Sequence, residues 1–136
     1  MSVENRVEAT GAAGAVLLTL CSAQFLMALD SSVMNVSIAT VADDLDTTVT
    51  GIQTAITAYT LVMAAFMLVG AKLGDILGRD RAFGLGLAVY GLGSLITALS
   101  PNLTVLLIGW SGIEGLGAVL VIPAIAALTA ANYEGK

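Results

Sequence analysis

Charge is what this chain has least of. Only 11% of its residues are charged and 57% are hydrophobic, whereas about a quarter of a soluble domain is charged. This composition excludes an ordinary soluble domain. The single cysteine, Cys21, excludes an intrachain disulfide and offers no metal site. The chain also lacks the basic patch of a nucleic-acid-binding protein, so no nucleic-acid partner is expected.

Long runs without charge take the place of a soluble core. They cover residues 9–29, 47–71, 82–113 and 115–133. A membrane-spanning helix needs roughly 20 mostly apolar residues. The third run is too long for one span, and Pro101 with Asn102 interrupts it with turn chemistry. Because the runs are long and do not alternate, helices are favoured over a β-barrel.

The predicted fold is therefore an all-α integral membrane protein with four transmembrane helices. We place them near 13–40, 50–73, 82–99 and 103–130, after an amino-terminal tail at 1–12 and before a short end at 131–136. A signal peptide is the competing interpretation of residues 1–29. It is rejected because Glu4 and Glu8 offset Arg6 near the start, and because the apolar run continues through 33–42.

The basic residues predict an orientation. All five lie on one side of the four-span arrangement: Arg6, Lys72, Arg79, Arg81 and Lys136. The loops 41–49 and 100–102, on the other side, contain no lysine or arginine. Cytoplasmic loops carry the excess of lysine and arginine in membrane proteins. Both termini and the 72–81 segment are therefore expected in the cytoplasm.

Two acids lie inside predicted spans, Asp30 in the first and Glu114 in the fourth. From the rise per residue of an α-helix, each acid lies about 15–17 Å below the predicted outer face. That is close to the middle of a hydrocarbon core roughly 30 Å thick. They can face each other if the two helices are neighbours. The one basic residue in a predicted span, Lys72, lies at the cytoplasmic end of the second, so burial and like-charge proximity both favour the protonated forms of the acids. Such acids suit proton binding or pairing with a cationic ligand; alternatively, each is a protonated carboxyl bonded to a neighbouring helix.

Other polar and aromatic residues accompany these acids. Gln24, Ser31 and Asn35 share one face of the first helix, next to Asp30, although such side chains also join helices. Trp110 is four residues before Glu114 and shares its face. Its indole can serve as a platform for a cation or simply pack.

Glycines in the predicted third and fourth helices favour close helix packing. In the fourth helix they are Gly112, Gly115 and Gly117. Gly84, Gly86, Gly91 and Gly93 are interpreted in the same way for the third. Pro123 predicts a kink late in the fourth helix.

The segment 70–81, GAKLGDILGRDR, lies between the second and third helices. Asp75 and Arg79 are four residues apart in the favourable helical order, and Gly78 is placed to form a left-handed cap. The segment resembles the G-x-L-x-D-x-x-G-R-(R/K) loop of the major facilitator superfamily. Leu73, Asp75, Gly78 and Arg79 match it, whereas Ala71 replaces its first glycine and Asp80 its final base.

The resemblance implies that this loop, including Arg81, is a cytoplasmic gate that latches the outward-open state. The alternative is a solvated loop that only orients the protein, since exposed ion pairs contribute little.

Two further segments extend the resemblance. Residues 29–39, LDSSVMNVSIA, are similar to the L-D-x-T-x-x-N-V-A-L-P motif of drug:proton antiporters, particularly the 14-helix branch. Residues 106–118, LLIGWSGIEGLGA, resemble the helix-four motif R-x-x-x-(Q/E)-G-x-G-A. There Trp110 occupies the position of an arginine that the family ties to proton transfer.

The resemblance implies a secondary active transporter that exports lipophilic or cationic drugs in exchange for protons. In this interpretation Asp30 alternates between proton and substrate, and Glu114 assists. No enzyme activity is expected, and no cofactor besides the proton gradient. The expected partners are the lipid bilayer, a small-molecule substrate and the remaining helices of a full transporter. The expected location is the cell inner (plasma) membrane.

The resemblance also sets limits, because a facilitator has two six-helix halves built from three-helix repeats. We therefore expect an amino-terminal fragment or truncated gene product that does not transport alone. A non-transporting membrane interaction module is an alternative. A proteolipid of a proton rotor is disfavoured by the charged segment 70–81 and by the four spans.

Overall fold

The computed structural model describes the backbone of residues 3–133 and the side chains of residues 11–132. The last three residues of the predicted cytoplasmic end, including Lys136, lie outside the described residues, as does the side chain of Arg6. The described chain is helical throughout apart from short connections. Its helices are α1 (Val3–Val36), α2 (Ile38–Asp44), α3 (Val49–Leu77), α4 (Arg79–Ala98), α5 (Leu103–Leu106), a π-helical segment (Leu107–Glu114) and α6 (Gly115–Tyr133).

Within the described residues, four stretches are long and apolar enough to cross a bilayer, which confirms the predicted four-helix fold class. They are Gly11–Val36, Val49–Leu77, Arg79–Ala98 and Leu103–Asn132. The shortest has 20 residues, about 30 Å at the helical rise. The fourth span joins α5, the π segment and α6 without a break.

The helix bounds differ from the sequence prediction at several ends. Helical backbone starts at Val3, inside the predicted tail, and the first helix is interrupted at Ser37. The second helix extends to Leu77, past its predicted end near 73. The third then begins directly at Arg79. The α3–α4 connection is thus one residue, Gly78.

Polar side chains cap two helices at the predicted outer surface. The Thr48 hydroxyl accepts from the Gly51 amide at 3.0 Å, at the start of α3. The Asn102 side-chain oxygen accepts from the Val105 amide at 3.0 Å, at the start of α5. Each satisfies an amide that the first helical turn leaves without an intrahelical partner. The Pro101–Asn102 turn therefore both ends α4 and starts the fourth span.

The fourth span is the centre of the bundle. Of the 18 most apolar consecutive residues in this span, 56% are buried, compared with 17%, 17% and 22% in the other three spans. It packs on α3 and α4 through a cluster of buried residues that includes Ile52, Ala55, Tyr59, Tyr90, Leu106, Trp110, Ala118 and Val121. Because lipid is as apolar as these side chains, the helices associate through close packing and interhelical hydrogen bonds.

Glycine allows the closest of these approaches. A Cβ at Gly117 would lie 2.5 Å from the Tyr90 amide nitrogen, and one at Gly115 would lie 3.3 Å from a Val62 methyl. At Gly112 a Cβ would meet only the Leu107 carbonyl of its own chain segment, at 3.8 Å. Gly112 therefore makes no close approach to a neighbouring helix among the described residues, and its role in helix packing stays a prediction.

The same distinction divides the glycines of α4. Gly86 and Gly93 pack tightly against the fourth span, whereas Gly84 and Gly91 have open space where a Cβ would be. The packing prediction thus holds for the first pair and is wrong for the second. Both packed glycines lie on the buried face, together with Ala82 and Tyr90.

Pro123 creates a specific α3–α6 contact. The helix continues through Pro123, but proline has no amide hydrogen, so the Val119 carbonyl loses its intrahelical donor. That carbonyl lies directly against Gly70 of α3, where any Cβ would overlap it. Gly70 therefore brings a backbone C–H group to the carbonyl that Pro123 leaves free.

Candidate functional site

A hydrogen bond between the first and fourth spans defines the centre of the candidate site. The Trp110 indole Nε1 donates to the Asp30 Oδ2 at 3.0 Å. Asp30 is partly buried and Trp110 is 1% exposed. The sequence predicted that the acids of these helices lie at the same level, and Glu114 is close enough to interact electrostatically with Asp30. The hydrogen bond that Asp30 accepts comes from Trp110.

Tyr59 of α3 fixes the orientation of that indole. The two rings stack with centroids 4.9 Å apart and planes 12° from parallel. Tyr59 is 7% exposed, so the stack is part of the buried core. Aromatic pairs of this kind contribute beyond the area they bury. The stack therefore holds the indole N–H in position to bind Asp30.

Glu114 has a very different environment. Its side chain is 0% exposed, and within the described part of the chain neither carboxyl oxygen has a hydrogen-bond partner. The Tyr90 hydroxyl, which lies near this carboxyl, is also unpartnered among the described residues. Buried polar groups are normally paired, so these two adjacent exceptions make Glu114 and Tyr90 the candidates for a site in the fourth and third spans.

The spacing of Tyr90 and Gly93 on α4 accommodates Glu114. Gly93 packs against the Glu114 backbone so closely that a Cβ would overlap its amide nitrogen. Tyr90 lies three residues earlier, on the same helix face. Gly93 thus allows the fourth span to pack closely against α4, and Tyr90 places its hydroxyl beside the Glu114 carboxyl.

A π-helical segment carries most of the site. In Leu107–Glu114 the backbone is wound more widely than an α-helix, and the Gly115 amide bonds to the Trp110 carbonyl five residues earlier. Within this segment the buried Ser111 hydroxyl donates to the Ala55 carbonyl of α3 at 2.8 Å. π-helical turns inside α-helices occur frequently at functional sites. Here the wide turn contains Trp110, Ser111 and Glu114.

The remaining polar residues proposed for the first helix lie outside this cluster. Gln24 and Asn35 are exposed. The Asn35 side chain donates to the Ser31 carbonyl of its own helix at 2.7 Å. The structure therefore brings together Asp30, Trp110 and Glu114 from the predicted set, and leaves Gln24 and Asn35 at the surface of the described chain.

The predicted gate loop forms a compact turn. Asp75 and Arg79 make an exposed ion pair, with Oδ1 and Nη2 at 3.5 Å. Arg79 also donates through Nη1 to the Ala127 carbonyl near the end of α6, at 3.4 Å. Leu73 and Arg81 are exposed. The loop thus contacts the fourth span as well as joining α3 to α4.

Gly78 has the positive φ that was expected but not the expected cap. Its φ is 90° and its ψ is 134°, and a left-handed cap requires a ψ near 50°. The left-handed prediction is therefore wrong. With α4 starting at the very next residue, the chain needs a sharper change of direction than a left-handed cap provides. The backbone region it adopts is accessible to glycine and strained for other residues.

Sequence reasoning missed Tyr59, Tyr90 and Ser111 as members of the site. Each is a polar group in an apolar span, a signal that was available for Tyr59 and Tyr90 on the same grounds as for Trp110. The stack, the position of the Tyr90 hydroxyl and the Ser111 bond all depend on contacts between helices. Only the three-dimensional arrangement brings these residues to Asp30 and Glu114.

The four candidate spans, with the partly exposed Asp30 and the buried Glu114 inside two of them, are those of a helical membrane protein. The family comparison agrees, since residues 20–136 match the model of the Major Facilitator Superfamily. The chain belongs to that superfamily. Its members are membrane transporters, not enzymes, and need no cofactor.

Several characterised proteins are similar to this chain. The cephamycin export protein CmcT of Amycolatopsis lactamdurans is 36% identical over 98% of this chain and 28% of its own length. The methylenomycin A resistance protein of Bacillus subtilis is 35% identical over 93% and 27%. The multidrug resistance protein Stp of Mycobacterium tuberculosis is 33% identical over 82% and 21%. The chain thus spans less than a third of these relatives. No solved structure matches it.

Proposed function

We propose that this chain forms part of a secondary active transporter of the plasma membrane that exports lipophilic or cationic small molecules in exchange for protons. The observation that carries the proposal is the Asp30–Trp110–Glu114 cluster. It contains two acids inside predicted spans, and the described basic side chains, Lys72, Arg79 and Arg81, lie away from it at or near the α3–α4 turn. Ionisable groups in that position mark ion and substrate pathways.

The cation site in this proposal is Asp30. Its carboxylate accepts the indole N–H from Trp110, which fixes one oxygen and leaves the partly exposed carboxylate able to pair with a positive group. Trp110 and Tyr59 form a buried stack beside it, and the carboxylate supplies the attraction for the cation. The names of two relatives, a cephamycin export protein and a multidrug resistance protein, support the handling of small molecules.

The 70–81 loop serves as the cytoplasmic gate in this proposal. Asp75 and Arg79 hold the turn, and the Arg79–Ala127 bond connects it to the helix that carries Glu114. A movement of the fourth span is thereby transmitted to the cytoplasmic surface. Gly78 provides the one-residue connection about which α3 and α4 reorient.

Replacement of Asp30 tests the proposal. In the complete transporter that contains this chain, Asp30→Asn should abolish proton-driven accumulation of tetraphenylphosphonium in inverted membrane vesicles, because the amide cannot pair with the cation. Asp44→Asn removes a carboxylate from the exposed end of α2 and is the matched control, with transport unchanged. Wild-type transport by Asp30→Asn would rule the assignment out.

A further inference from the structure

The two acids of the cluster have complementary surroundings. Asp30 is partly exposed and accepts a hydrogen bond from Trp110. Glu114 is fully buried and receives no such bond from the described residues. A carboxylate needs donors or a cation when it leaves water. The two acids therefore differ in exposure and in hydrogen bonding.

Every element packed around Glu114 presents a group that is acidic or neutral. Asp30 faces it from α1, Tyr59 from α3 and Tyr90 from α4, and Trp110 precedes it by one turn. The described basic side chains, Lys72, Arg79 and Arg81, all lie at or near the exposed α3–α4 turn. An ionised Glu114 would be an uncompensated charge beside Asp30. A protonated carboxyl has an O–H donor and a carbonyl acceptor, and suits the nearby Tyr90 hydroxyl.

We propose that Glu114, positioned by Tyr90, is the proton-binding site, and that Asp30 with Trp110 is a separate cation-binding site. This inference rests on the proposed transport function and divides its two ligands between two acids. On proton release the O–H bond of the Glu114 carboxyl breaks, its electron pair stays on the carboxylate, and water takes the proton. Reprotonation reverses this step.

The proximity of the acids couples the two sites. A negative Glu114 adds to the attraction of Asp30 for a cation, and a protonated Glu114 removes that contribution. Proton binding at Glu114 therefore weakens cation binding at Asp30, and cation binding favours proton release. An exchanger requires that binding of the proton and binding of the cation oppose each other in this way. The two sites achieve this without a residue that binds both.

Infrared spectroscopy of the 136-residue chain in lipid nanodiscs tests the division directly. The carbonyl stretch of a buried protonated carboxyl is followed while pH is varied. In the wild-type chain a pH-dependent band should be present. Glu114→Gln should abolish it, whereas Asp30→Asn should retain its full amplitude. Loss of the band in Asp30→Asn, or its persistence in Glu114→Gln, would overturn the proposal, as would the absence of such a band in the wild type.

Tyr90→Phe supplies a second measurement that does not remove an acid. The band should keep its amplitude and move to higher frequency, because the carbonyl of the protonated Glu114 loses the hydrogen bond that the proposal gives it from the Tyr90 hydroxyl. An unshifted band would refute the positioning role of Tyr90. Circular dichroism of each variant checks that the helices are retained.

The infrared result and the transport assay separate the two levels of the proposal. If Asp30→Asn leaves export unchanged, the transport assignment fails whatever the spectra show. If export is lost but the pH-dependent band belongs to Asp30, the proposed function stands and the division of roles falls.

Discussion

At the residue scale, Trp110 determines how the first span meets the fourth. It occupies the position of an arginine in the resembling motif, yet it still delivers an N–H group to the acid of α1. An arginine there would place a permanent charge between Asp30 and Glu114. The indole provides a hydrogen bond without that charge. Neutral donation leaves Asp30 able to pair with a cation.

This reading predicts an energetic coupling between Trp110 and Asp30. Trp110→Phe keeps an aromatic ring against Tyr59 but removes the N–H donor, and Asp30→Ala removes the acceptor. In a double-mutant cycle measured by unfolding in mixed micelles, the coupling should be about 1 kcal/mol, the usual size for a hydrogen bond between membrane helices. Strict additivity of the two changes would contradict the contact. Trp110→Phe with Asp44→Ala, at the exposed end of α2, serves as the uncoupled control cycle.

At the element scale, the two faces of α4 provide a matched pair of glycines. Gly93 lies against the Glu114 backbone, and Gly91 has open space around its missing Cβ. Gly93→Ala should destabilise the chain by about 1–3 kcal/mol through overpacking. Gly91→Ala should be neutral or stabilising, by up to about 1 kcal/mol, because alanine is the better helix former. Unfolding in mixed micelles measures both, and equal effects would show that α4 does not pack as described.

The sequence was sufficient to locate the four spans but not to predict the π-helical turn in the fourth. Runs of apolar residues and the Pro101–Asn102 turn located four spans, since length and polarity are local properties. The π segment at Leu107–Glu114 was not predicted. It is accompanied by contacts with other helices, such as the Ser111 bond to the Ala55 carbonyl, and no local periodicity encodes those. Asp30 and Glu114 were identified as candidates because an acid within an apolar run is a local signal. Tyr59 and Tyr90 were not, because their roles depend on contacts between helices.

At the scale of the whole molecule, the contacts run from the mid-membrane cluster to one surface. Glu114 and Pro123 lie on the same helix, and that helix meets Arg79 at Ala127. The Val119 carbonyl meets Gly70 between these levels. A change at the acids therefore has a continuous packed route to the α3–α4 turn. Whether that turn faces the cytoplasm depends on the orientation of all four spans.

The distribution of basic residues predicts that orientation, and cysteine labelling in intact cells tests it. In a Cys21→Ser background, Asp80→Cys places a thiol at the exposed α3–α4 turn, and Asp44→Cys places one at the exposed end of α2. With lysine and arginine confined to the cytoplasmic side, a membrane-impermeant maleimide should label Asp44→Cys from outside and reach Asp80→Cys only after permeabilisation. The reverse pattern would invert the fold in the membrane and place the Asp75–Arg79 turn at the outer surface. The unmodified Cys21→Ser chain gives the background signal for both.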